Sequence, residues 1–511
     1  MSRLRKFTQS LVSGYLLQGT NVLYTLASVP LALHYLSVKE FGVWTSVTTL
    51  ANFNQIFMDL GMSGSLSRIL IDHKDDRSST KYGSVIQTGV LVLLIQGLLM
   101  AVVGSVISVW LPQWMAVPEN FQHIFRLLLI FQCVLLGATY VGRVFSFILT
   151  AHQRYDICNY ASMGGFVVNL LVLWLGFKYQ MGLYSLLAAF FAGSLFSILF
   201  SIWAVCRLEL LPAKKCWGRP SRAAFRELFF YGADLFLIVI GQQLIAASAV
   251  PIISRTLGME AVAVWGIATK VFTLAQQLVY RIFDFSGGAL TEMLVRGEAE
   301  RFRKRFGDVA VLTGVAAAAI GLMLALGNES FLKLWTHGRI SWSPVNDLLM
   351  AVSFFVYASV RLSIGLITTT KRIGSLKFIY FFEGAVFVML ALLLAPRWGF
   401  AGIIASGMAS DLLLSGLYGA HRAARYLGIT KLQLFREWWG RPAAFFAAST
   451  LAAAGVWLAT RRLQAPAQLS LNVVFFGILV APLFWRIGLP GHLRSEIASR
   501  LLGKIYGRKK V

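Results

Sequence analysis

Residues 29–55, VPLALHYLSVKEFGVWTSVTTLANFNQ, return 221 positions later as residues 250–276, VPIISRTLGMEAVAVWGIATKVFTLAQ. Aligned without a gap, seven positions are identical: Val29/Val250, Pro30/Pro251, Leu36/Leu257, Val43/Val264, Trp44/Trp265, Thr48/Thr269 and Gln55/Gln276. Near an offset of 224 the relation continues through Gly83/Gly307, Gly97/Gly321, Leu98/Leu322 and Ala101/Ala325. Proline and tryptophan shared at one gap-free offset exceed what chance gives between two apolar segments. The chain therefore carries two copies of one unit.

Each copy is made of long apolar stretches. Of 511 residues, 57% are hydrophobic and 14% charged, and the mean hydropathy is +0.69. Soluble chains average about 45–50% apolar and about 25% charged residues, so a soluble enzyme, a soluble binding module and a disordered chain are all excluded. A membrane-crossing helix needs roughly 20 apolar residues. Fourteen stretches qualify: 11–36, 42–66, 84–110, 124–150, 159–177, 183–206, 228–254, 261–285, 309–335, 346–370, 378–395, 399–420, 443–460 and 470–485. The first lacks a small-residue cleavage site and is followed at once by the second, so it reads as a span and not a signal peptide.

Spans 1–6 and 7–12 are the two copies. Six is even, so both run in the same direction, as a parallel repeat about an axis along the membrane normal. The expected fold class is an all-α polytopic membrane protein of about 14 transmembrane helices, with two pseudo-symmetric six-helix lobes plus two C-terminal helices. The domains follow: 1–206 the N-terminal lobe, 207–227 a basic cytoplasmic linker, 228–441 the C-terminal lobe, and 442–511 spans 13 and 14 with a basic cytoplasmic tail.

The net charge of +25 comes from 47 Lys and Arg against 22 Asp and Glu. These charges sit in short runs between spans and form no basic face on a folded domain, which argues against nucleic acid. With the N-terminus placed in the cytoplasm, cytoplasmic segments hold 34 of the Lys and Arg and external loops hold 7. That asymmetry puts both termini inside. The basic loops 207–227, 292–308 and 421–441 set topology and attract anionic phospholipids. Four scattered cysteines form neither a disulfide framework nor a zinc site. The chain has no Walker A motif, no His-x-x-His, no paired-carboxylate signal and no Gly-x-Ser-x-Gly. The reading is therefore not an enzyme, with no cofactor and no metal. A parallel duplication suits alternating access between two rocking bundles.

The run Pro30…Leu36-Ser37-Val38-Lys39-Glu40-Phe41-Gly42-Val43-Trp44, then Met58-Asp59-Leu60-Gly61-Met62 and Arg68, resembles the opening of the polysaccharide transporter family. These are the O-antigen and exopolysaccharide repeat-unit flippases, in the superfamily that also holds the multidrug and toxin extrusion transporters and the lipid II flippases. The motif resemblance covers chiefly residues 14–68, with its echo at 230–270. It implies translocation of undecaprenyl-pyrophosphate-linked oligosaccharide from the inner to the outer leaflet of the bacterial inner membrane, coupled to a cation gradient. It further implies that spans 1, 2, 7 and 8 line a cavity between the lobes, and that glycan polymerase machinery is a partner. A multidrug/organic-cation antiporter or a lipid II flippase of the same superfamily is the alternative.

Ionisable side chains inside spans are costly in hydrocarbon and mark functional sites by default. In span 8, Lys270 lies near mid-depth and Arg281 eleven residues on, close to three turns, with Gln277 on the same face. A stripe of cation, amide and cation suits an anionic head group carrying sugar hydroxyls. Its bland counterpart is an Arg281 that snorkels to the cytosol and pairs with Asp284. Arg143 in span 4 is expected to meet Asp59 in span 2, as substrate cation and coupling carboxylate or as a structural ion pair. Asp234 lies near the cytoplasmic end of span 7. Arg361, Glu383 and Asp411, in spans 10, 11 and 12, fall close to mid-depth. One cation cannot neutralise two carboxylates, so the three are coupling candidates, as are Asp59, Asp234 and Asp284; a static brace is the rival reading.

Overall fold

The computed structural model describes residues 3–74, 80–213, 215–370, 374–496 and 498–499. Within these, the side chains of residues 3–8, 11, 231–235, 237, 238, 288 and 368 lie outside the description. All regular structure among the described residues is helical. The first helices are α1 (Arg3–Tyr35), α2 (Val38–Asp59), α3 (Met62–His73), α4 (Thr80–Trp114), α5 (Glu119–Tyr140) and α6 (Arg143–Ala151). Next come α7 (Tyr155–Lys178), α8 (Tyr184–Arg207), α9 (Arg222–Leu257), α10 (Met259–Ala268), α11 (Lys270–Val295) and α12 (Ala299–Trp335). The last are α13 (Pro344–Thr369), α14 (Leu376–Trp398), α15 (Phe400–Asp411), α16 (Leu417–Leu427), α17 (Lys431–Leu434), α18 (Gly440–Thr460) and α19 (Ala465–Leu483). Three π-helical segments, Leu412–Gly416, Phe435–Trp439 and Phe484–Gly488, are inserted near the C-terminal end.

Twelve helices among the described residues are long and apolar enough to cross a membrane. The expected spans 42–66 and 228–254 fall on α2 and α3 and on α9, which are not among the twelve. Polar residues explain α2: Thr45, Ser46, Thr48, Thr49, Asn52, Asn54 and Gln55 interrupt its apolar surface. Nor is the second stretch one helix. A capping box between Ser37 and Glu40 starts α2. It stops at Asp59 because Leu60 and Gly61 are both left-handed, a conformation that suits glycine and is unusual for leucine. Span 4 also breaks, at Val141–Gly142, span 8 carries a one-residue irregularity at Thr269, and span 12 carries the π segment 412–416.

By contacts the chain divides into two compact units, Met1–Val264 and Trp265–Val511. In the first, α4 and α5 approach closely at Gly97 and Gly137, where a Cβ on either would meet the other's carbonyl oxygen. Helices α7 and α8 do the same at Gly165 and Gly193. Small residues of this kind let helices associate without a hydrophobic driving force between them. Asn54 adds an interhelical bond from its amide to the Met100 carbonyl, at 2.8 Å. Helix α9, which opens the second copy of the repeat, packs in this first unit against α2, α3 and α4.

In the second unit α12 is central. Its apolar face is buried against α13, α18 and α19 through Val311, Val315, Ala318, Leu322, Phe445 and Phe476. Polar anchors hold α19 in place: Asn472 donates to the Leu326 carbonyl at 2.6 Å, and Ser330 donates to Gln468 at 2.7 Å.

Candidate functional site

Helices α10 and α11 meet at Thr269, which keeps right-handed helical backbone and helical bonds to Trp265 and Thr273, so Lys270 opens α11 within one long span. Gln277 and Arg281 follow two and three turns later, and all three side chains are exposed. Lys270 has no hydrogen-bond or ion-pair partner among the described residues. Arg281 does not pair with Asp284: that carboxylate is taken by Arg361, Nη2 to Oδ1 at 3.2 Å, reaching across from α13. The Arg361 guanidinium also lies over the Tyr280 ring, 4.3 Å from its centroid, a cation–π contact. Gln276 donates to the Tyr280 hydroxyl at 2.7 Å. Arg361 is thus held by α11, and the three-way cluster expected with Glu383 and Asp411 is not what forms.

Glu383 and Asp411 stand apart from that cation. Glu383, on α14, is buried and accepts a hydrogen bond from the Ser415 hydroxyl. Ser415 belongs to the π segment Leu412–Gly416, which starts directly after Asp411. Such π-bulges often mark functional positions. One Asp411 oxygen, Oδ2, is buried with no hydrogen-bond partner among the described residues. Asp411 lies within electrostatic reach of Glu383, Tyr280 and Tyr357. Among the described residues no cation faces these two neighbouring carboxyls, an arrangement that disfavours ionising both.

In the first unit Asp59 and Arg143 do not form the expected ion pair. The Tyr140 hydroxyl donates to Asp59, and the Arg143 guanidinium lies 5.0 Å from the Tyr140 ring centroid. Asp59 also receives the Ser63 hydroxyl, and its Oδ2 lies 3.4 Å from the Ser63 backbone nitrogen. It therefore ties the last residue of α2 to the first turn of α3, whose N-cap position is Gly61. The physical reason is local: α5 ends at Tyr140, and the turn at Val141–Gly142 puts the ring between the two charges. The Asp234 side chain lies outside the described residues.

Sequence reading missed a buried carboxylate. Asp347, fully buried at the start of α13, accepts from Asn328 at 2.6 Å and from Trp342 at 2.8 Å. Following Pro344 at a helix start, it reads in sequence as an ordinary first-turn acid, and only packing shows its burial. Among the described residues, no group of three or more His, Cys, Asp or Glu is placed to hold a metal ion.

Residues 34–285 match the family described as "Polysaccharide biosynthesis protein". The fold is similar to that of the lipid II flippase MurJ in an inward closed conformation, with a TM-score of 0.70 at 9% identity, over 92% of this chain and 99% of that one. It is also similar to an inward-facing multidrug resistance MATE family transporter of the MOP superfamily, with a TM-score of 0.66 at 14% identity, over 79% and 94% of the two chains. A mutant of the Vibrio cholerae MATE transporter VcmN gives a TM-score of 0.57 at 14% identity, over 83% and 97%. No curated protein sequence matches the chain. Residues 34–285 thus match the polysaccharide biosynthesis protein family, and the chain is an all-α polytopic membrane protein whose fold is similar to that of MOP-superfamily transporters.

Proposed function

We propose that this protein is a flippase that moves undecaprenyl-pyrophosphate-linked oligosaccharide from the inner to the outer leaflet of a bacterial inner membrane. One observation carries the reading: Lys270 is an exposed cation without a partner among the described residues, on the same α11 face as Gln277 and Arg281. A pyrophosphate must leave the aqueous head-group layer to cross. A cation held within the span offsets that desolvation far better than one in bulk water. Gln277 supplies an amide for sugar hydroxyls, and Arg281 receives the anion nearer the cytoplasm.

In this reading α2 and α9 complete fourteen spans, arranged as two six-helix lobes plus α18 and α19, with both termini cytoplasmic. Transport proceeds by alternating access. The buried Glu383 and Asp411 pair binds the coupling cation, while the Asp284–Arg361 pair braces α11 against α13. The family's role in polysaccharide biosynthesis supports a lipid-linked glycan as substrate and glycan polymerase machinery as a partner. A multidrug antiporter would need an acidic face to receive organic cations, and the α11 stripe has the opposite sign. The deciding experiment is Lys270→Ala at native expression, scored for surface glycan. Loss of glycan with lipid-linked intermediates accumulating inside supports the reading, and wild-type surface glycan overturns it.

A further inference from the structure

An apolar groove of about 580 Å³ lies in the first unit, between the end of α2, α4 and the start of α9. Its walls are Leu91, Ile95 and Leu99 from α4, Phe225 and Phe229 from α9, and Phe57 from α2. All six are about half exposed. Isolated exposed apolar residues on a membrane protein need no explanation beyond lipid contact. Here they line a concave slot bounded by three helices, and one end of that slot is polar.

The polar end is built by the segment 216–222, which is fastened onto α4. A Cβ on Gly83 would collide with the backbone of Cys216 and Trp217, so only glycine lets the segment approach. Ser84 donates to the Arg219 carbonyl at 2.7 Å, and the Ser221 backbone donates to the Thr88 hydroxyl at 3.0 Å. This fixes Arg222, exposed and basic, at the mouth, in the first turn of a 36-residue helix. The positive end of the helix dipole adds to that charge, and among the described residues no acidic side chain lines the groove. Deeper in, Gln96 is buried; its amide nitrogen is spent on the Asp59 carbonyl at 2.7 Å, and its amide oxygen has no partner among the described residues. That oxygen offers an occupant, or a water entering with it, one hydrogen-bond acceptor.

From Thr88 to Leu99 is eleven residues of helix, roughly 17 Å, close to one leaflet of a hydrocarbon core about 30 Å thick. A positive mouth over an apolar slot one leaflet deep has the shape and charge of a single lipid. We propose that this groove seats one hydrocarbon chain of an anionic, phosphate-headed lipid, with its head group at Arg222 and the first turn of α9. A slot one leaflet deep matches the acyl chain of a bulk anionic phospholipid and is too short for a polyprenyl chain, so the occupant is a membrane phospholipid.

The test uses the full-length protein, stripped of lipid in detergent and then offered phosphatidylglycerol, phosphatidylcholine or undecaprenyl phosphate in micelles. Retained lipid is counted by native mass spectrometry. Wild-type protein should hold one anionic lipid per chain in preference to phosphatidylcholine. Ile95→Trp, which fills the slot, should lose it. Leu98→Trp, at a position outside the groove lining, should keep it and serves as the folding control. Arg222→Gln should weaken retention about tenfold, the loss of one charge-assisted hydrogen bond, and should erase the preference over phosphatidylcholine. Should Ile95→Trp fail to fold, the Arg222→Gln head-group preference still decides. Retention of phosphatidylglycerol supports the proposal, and retention of undecaprenyl phosphate alone overturns it. No preference over phosphatidylcholine in wild type, or undiminished retention in folded Ile95→Trp, overturns the proposal. Because the readout is lipid retention and not glycan export, it stands or falls separately from the proposed transport.

Discussion

Arg361 meets Asp284 at 3.2 Å across α13 and α11, and that pairing leaves Glu383 and Asp411 without an ion-pair partner among the described residues. The pair ties the helix that carries Lys270 to the helix beside it. A cation that would have balanced the two carboxyls statically is instead spent as a brace.

The carboxyls should therefore respond to substitution differently from the brace. Glu383→Gln and Asp411→Asn should leave membrane abundance near wild type while glycan export loses its dependence on the imposed cation gradient. Asp284→Ala leaves Arg361 unpaired and should lower the unfolding temperature without changing that dependence. Export assays in cells of controlled proton and sodium gradients, alongside detergent melting curves, separate the two. Loss of Glu383→Gln protein from the membrane would show that Glu383 is structural.

Lys270 should be sensitive to charge more than to shape. Surface glycan should be strongly reduced in Lys270→Ala, partly kept in Lys270→Arg, and lowest in Lys270→Glu, where repulsion of the anionic head is added. Arg281→Ala should show a milder defect than Lys270→Ala. Quantifying surface glycan at matched expression checks the order of the four.

Asp59 should behave as a structural acceptor. Asp59→Ala strands the buried Tyr140 hydroxyl and removes the tie to Ser63, a cost of about 1–3 kcal/mol, whereas Tyr140→Phe removes only one bond and should cost about 0.5–1.5 kcal/mol. Melting temperatures of the purified variants measure both. Tyr140→Phe should export glycan normally.

At Gly97 the close approach of α4 to Gly137 leaves no room for a side chain. Gly97→Val should cost about 1–3 kcal/mol through overpacking, or prevent accumulation altogether. Gly455, in α18, has nothing within 4 Å of a built Cβ. Gly455→Ala should be neutral or stabilising by up to about 1 kcal/mol, because alanine orders a helix more readily than glycine. Melting curves of the two variants make the comparison.

Reporter fusions test the membrane orientation. Fusions at Lys215 and Lys304 should read cytoplasmic, and those at Arg339 and Arg462 external, because the Lys and Arg are concentrated on one side. An external Lys304 would invert the assignment.

The sequence by itself determined what depends on composition and period. Apolar stretches of membrane length established an all-helical membrane protein, since only helices and closed barrels satisfy the backbone in lipid. The motif around Phe41-Gly42-Val43-Trp44 pointed to the family that residues 34–285 match. The face shared by Lys270, Gln277 and Arg281 followed from helical spacing, because residues along one helix keep fixed angles. Partners on different helices follow no such rule. Only the tertiary structure decided that Arg361 takes Asp284, that Tyr140 stands between Asp59 and Arg143, and that Asp347 is enclosed by Asn328 and Trp342. Those outcomes turn on irregularities of one or two residues, at Leu60–Gly61, Val141–Gly142 and Thr269, and on the π segment after Asp411. Each such irregularity changes which neighbours the segment beyond it meets. A hydropathy pattern some twenty residues long averages over it, and side-chain packing does not.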